Sequence, residues 1–73
     1  MSTSVRVYVN AEAIEVPRGS TVADALRQWN VDEAEAAARG DRKVTDSRGL
    51  PASLADAVAQ GSILRVVGSR LPR

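Results

Sequence analysis

Residues 5–26, VRVYVNAEAIEVPRGSTVADAL, decide the fold. Val5, Val7 and Val9 alternate with Arg6 and Tyr8, the period-2 pattern of a strand with one apolar face. Asn10-Ala11-Glu12 is a short polar break. Ile14 and Val16 then resume the alternation between Ala13, Glu15 and Pro17, so the two runs predict a hairpin. Pro17-Arg18-Gly19 ends the second strand, because proline cannot donate to a central ladder. Ser20-Thr21 opens a helix, with Thr21 as N-cap and Asp24 three positions on as its capping-box partner. Val22, Leu26 and Trp29 fall at i, i+4 and i+7 with Ala25 beside them, giving one apolar stripe.

Further along the chain the punctuation is denser. Asp32 is expected to cap a second, Ala-rich turn through Glu33–Arg39, closed by Gly40 at C′. Its all-alanine face predicts little packing. Lys43-Val44-Thr45 reads as a short strand. Residues 46–51, DSRGLP, form a turn region. Residues 53–58, SLADAV, predict a brief helical turn with Ser53 as cap, and Gln60-Gly61 a further turn. Ile63-Leu64-Arg65-Val66-Val67 is the clearest strand after the first. Residues 68–73 are expected to form a flexible basic tail.

A strand, a long crossover and a last strand favour parallel pairing of the first and last strands. The first strand is then central and the helix covers one face. This is an α+β chain of β-grasp (ubiquitin-like) type: a mixed sheet of about four strands on one main helix, one domain spanning 1–73. The expected core is Val5, Val7, Ile14, Val16, Val22, Leu26, Trp29, Val44, Val58, Leu64 and Val66.

Composition narrows the chemistry. With 73 residues the chain buries only about 60% of its unfolded surface. Twelve alanines and ten valines dominate its apolar residues, Phe is absent, and Trp29 and Tyr8 are the only aromatics. There is neither cysteine nor histidine, which removes thiolate metal sites, disulfides and the commonest general base. No enzymatic activity, metal or cofactor is expected. The acids Asp32, Glu33, Glu35 and Asp41 match no calcium-loop spacing and read as capping and a solvated helix face. Ser47 has no base to activate it. A formal charge of +1 is no footprint for nucleic acid, and Tyr8 alone is no stacking platform, so nucleic acid is disfavoured. No apolar run approaches the roughly 20 residues of a membrane span. Met1-Ser-Thr-Ser lacks the basic and apolar regions of a secretory signal, so a cytoplasmic location is the expectation.

Residues 5–10, VRVYVN, with 14–26, IEVPRGSTVADAL, resemble the start of bacterial sulfur-carrier proteins: the thiamine-pathway sulfur carrier and the small subunit of molybdopterin synthase. Their pattern is a strand ending in Asn, a second strand closed by a Gly-Thr turn, then an apolar helix. Gly61-Ser62 with Leu64 and Val66 resembles their last turn and strand. The resemblance spans nearly the whole chain, loosely in the middle. It implies a β-grasp fold and, as partner, an activating or cofactor-biosynthesis enzyme. Sulfur carriers end in Gly-Gly, whose carboxylate becomes a thiocarboxylate; this sequence ends in Pro72-Arg73. Pro72 fixes φ and Arg73 is bulky where a thin tail is needed. Carrier chemistry would require cleavage after Gly68, the candidate processed terminus.

The leading expectation is therefore a non-catalytic domain that binds a protein partner. If Leu64 and Val66 face the helix, Ile63, Arg65 and Val67 face away, as do Arg6 and Tyr8. Ile63, Val67 and Tyr8 would then form an apolar cluster rimmed by Arg6 and Arg65, an interface composition. Arg65, Arg70 and Arg73, in a nine-residue end without an acid, extend the positive charge into the tail.

Overall fold

The hairpin forms where the alternation places it. In the computed structural model, which describes residues 3–68, strand β1 spans Ser4–Val9 and β2 spans Glu12–Pro17. They pair antiparallel from Ser4↔Pro17 to Val9↔Glu12, leaving Asn10 and Ala11 as a two-residue turn. Both turn residues lie at positive φ, 49° and 71°. A primed turn requires this, because only its twist matches that of the flanking strands.

Helix α1 (Val22–Trp29) begins with the expected capping box. The Asp24 N–H donates to Thr21 Oγ1, and the Thr21 N–H donates to Asp24 Oδ2. That backbone bond from Thr21, aided by the neighbouring Arg27, holds the Asp24 carboxyl below its usual range. The other early N–H groups also find acceptors: Val22 donates to the Asp56 carbonyl and Ala23 to that of Leu54. Segment 54–56 thus supplies what an isolated helix start lacks.

Two expectations need correction. First, there are two helices: α2 (Val31–Arg39) is a full element. Its N-cap is Asn30 in place of Asp32; Asn30 is extended at φ −166° and its side chain accepts from the Glu33 N–H. The same residue closes α1 by donating its N–H to the Leu26 carbonyl. Gly40, left-handed at φ 89°, ends α2. The alanine face does pack: Ala34, Ala36 and Ala37 are buried, because small side chains let α2 approach its neighbours α1 and β3 closely. Second, the brief turn expected over residues 53–58 does form, but it is confined to Leu54-Ala55 and is not helical. One turn forms there, with the Ser53 N–H donating to Asp56 Oδ2 and the Ala55 N–H to Ser53 Oγ. The caps are present without a helix to follow.

Strand β3 spans Arg42–Thr45 and β4 spans Ser62–Gly68. The sheet order is β2-β1-β4-β3, with β1 and β4 parallel and the other pairs antiparallel. This is an α+β chain with a four-stranded mixed sheet and two helices on one face. Leu26, 0% exposed, centres a core shared with Val7, Val9, Val16, Leu64 and Val66. Of the expected core, Ile14 and Trp29 are only half-buried. Ile14 sits on an edge strand. Trp29 ends α1 above the hairpin, where its indole N–H donates to Glu12. Gly68 belongs to β4, in register with Arg42, so the strand runs one residue into the expected tail.

Asn10 has a structural role that the sequence pattern did not show. Its backbone N–H donates to the Leu64 carbonyl, the last rung of the β1–β4 ladder. Beyond it β1 turns away into the hairpin. The Asn10 side chain then stands in for the missing strand: Oδ1 accepts from the Val66 N–H at 2.9 Å and Nδ2 donates to the Val66 carbonyl at 3.4 Å.

Candidate functional site: the uncovered sheet face

The helices cover one face of the sheet, and the registers define the other. Partners in register project to the same side, so Ala13, Tyr8 and Ile63 form one row across β2, β1 and β4. Arg6 lies beside Glu15, Thr45 beside Arg65, and Lys43 beside Val67. Ile63 is 50% and Val67 41% exposed, and Tyr8 is half-buried. A shallow, open depression of about 680 Å³ lies at the hairpin end of this face. Tyr8, Ile63, Arg65 and Val67 line it, and Asn10 and Ala11 of the turn form a wall. The exposed Val31 and Leu50 belong to no strand and stand apart from it.

The residues singled out from the sequence divide here. Tyr8, Ile63, Arg65 and Val67 come together. Arg6 shares the face but is turned to Glu15, at 3.6 Å, and lines a different surface hollow with Arg18 and Gln60. It is therefore no rim of the depression. Arg70 lies outside the described residues. Lys43 was missed, although a strand that buries Val44 must turn Lys43 outward. Arg65 and Lys43 have no ion-pair partner among the described residues, whereas Arg27, Arg39, Arg42 and Arg48 each have one.

The remaining polar clusters are occupied locally. Glu33 pairs with Arg42 at 2.9 Å and Asp41 with Arg39 at 3.3 Å. Asp46 accepts from the Leu50 and Arg48 N–H groups, which hold its carboxyl below the usual range and close the 46–50 turn. Among the described residues no group of three or more His, Cys, Asp or Glu converges as a metal site, and no helix is long and apolar enough to cross a membrane.

No family model matches the chain, and the search of curated proteins found no match.

Proposed function

We propose that the chain is a non-catalytic domain of β-grasp type, ubiquitin-like and sulfur-carrier-like, that binds a protein partner through the uncovered sheet face. The four-stranded mixed sheet with its parallel central pair supports that fold type. The observation that carries the function is that Tyr8, Ile63 and the exposed Val67 line one depression. Solitary exposed apolar residues need no explanation, but several that line one depression do.

The test is site-specific photocrosslinking in the native host. A benzophenone side chain at position 63 is expected to trap a discrete partner, and one at Glu35 on the exposed side of α2 to trap none. Loss of that product on Val67→Asp, with the fold intact by circular dichroism, places the contact on the face. Equal products from both positions would sink the proposal.

The competing reading is a sulfur carrier processed to Gly68. Because Gly68 is held in β4 opposite Arg42, a carboxylate made there would sit at the end of the sheet without a thin tail to carry it. That weighs against the carrier reading. Intact mass of the protein from its host decides: a mass that includes Arg73 leaves no glycine terminus, and one ending at Gly68 with sulfur in place of oxygen reverses the ranking.

A further inference from the structure

We infer that the occupant of the uncovered face is an acidic segment of a partner protein that carries a large apolar side chain. This rests on the interface proposed above and follows from the charges around it. The outward residues of the four strands include three cations, Arg6, Lys43 and Arg65, and one acid, Glu15. Glu15 is already engaged by Arg6 and by the Ser4 hydroxyl. Arg65 lines the depression and Lys43 stands beside Val67 on β3, both without an ion-pair partner among the described residues. A partner that buried Val67 with no acid of its own would desolvate these two charges uncompensated.

The same charges exclude the other occupants. A second copy docked face to face would set Arg65 and Lys43 against their own kind, and like-charge juxtaposition is costly at an interface. Nucleic acid binds through many cations and stacked bases. Among the described residues of this face there are two unpaired cations and one half-buried tyrosine. The apolar floor of Tyr8, Ile63 and Val67 takes a buried side chain, and Arg65 in its lining, with Lys43 beside Val67, takes the flanking carboxylates.

The experiment is selection of a phage-displayed random dodecapeptide library on the full 73-residue chain. The selected peptides are then synthesised and measured by fluorescence anisotropy. They are expected to combine Leu, Ile, Phe or Trp with neighbouring Asp or Glu, and to lose binding to Ile63→Asp. Lys43→Glu/Arg65→Glu is expected to weaken them by about tenfold at low salt, as for two partly exposed charge pairs. Replacing the peptide acids by lysine should restore affinity to that variant and abolish it for the parent. Peptides that bind through Ile63 but lack acids, or ignore the charge reversal, overturn this inference and leave the interface standing. A library yielding nothing that depends on Ile63 overturns both. Oligouridine binding that is lost in Lys43→Glu/Arg65→Glu would replace the acidic segment with nucleic acid. Concentration-dependent dimerisation lost in Ile63→Asp would replace it with a second copy.

Discussion

Removal of the Asn10 side chain tests how the parallel strands are held. The carboxamide makes one good bond, from the Val66 N–H at 2.9 Å, and one long bond, to its carbonyl at 3.4 Å. The first contributes about 1 kcal/mol net and the second a few tenths. Alanine at this position also has to hold φ at 49°, which asparagine tolerates better, adding about 1 kcal/mol. Asn10→Ala is therefore expected to cost about 2–3 kcal/mol, out of the roughly 4–10 kcal/mol that a chain of this length commands. Asn10→Gly relieves the backbone but loses the bonds and gains unfolded-state entropy, for a cost of about 1.5–2 kcal/mol. Urea unfolding followed by circular dichroism gives both values. Hydrogen exchange at the Val66 amide localises them, since that amide loses its acceptor in both variants. If Asn10→Gly unfolds with the parent and Val66 stays protected, the side chain is not holding the strands together.

Leu26→Ala, at the centre of the core, is expected to cost about 2–5 kcal/mol and to approach global unfolding, read as the thermal midpoint. A parent-like melt would mean that α1 is not seated on the sheet. Ala11→Gly should stabilise by up to about 1 kcal/mol, because relief of a left-handed alanine at φ 71° exceeds the entropy glycine adds to the unfolded chain; a urea midpoint equal to or below the parent's refutes it. Asp24 and Asp46 both have carboxyls held low by backbone N–H donors. Their contribution is present above the ordinary aspartate range, about pH 4, and is lost as pH falls through the lowered folded-state values. Asp24→Asn/Asp46→Asn should accordingly flatten the stability profile below about pH 4, and an unchanged acid limb would show that other carboxyls govern it.

Strands and the first helix were legible because period and caps agree. The Val5–Val9 alternation, the Thr21–Asp24 box and the Ile63–Val67 run each carry one local signal without a competitor. The second helix was underread because alanine contributes little area, while its value here lies in close approach, which no single residue announces. Asn30 was passed over for Asp32 as cap, since either side chain can accept and only the extended backbone at Asn30 decides. The core was overread at its margins, where an apolar residue in a periodic pattern, Ile14 or Trp29, turned out to lie over an edge. The uncovered face followed from alternation alone. The diversion of Arg6 to Glu15 did not, because it depends on the hairpin register.

The two strands that pair in parallel at the middle of the sheet lie far apart in the sequence, so they are made far apart in time. Tyr8 leaves the ribosome well before its neighbour Ile63. Until then Val5, Val7 and Val9 have the hairpin partner β2 on one edge and nothing on the other. The nascent chain thus carries an unpaired apolar strand edge until β4 is made, the condition under which aggregation competes with folding. A stop codon before Ser62 would remove β4 alone among the elements, giving a product that encodes the hairpin and both helices but leaves β1 and β3 without the strand that joins them.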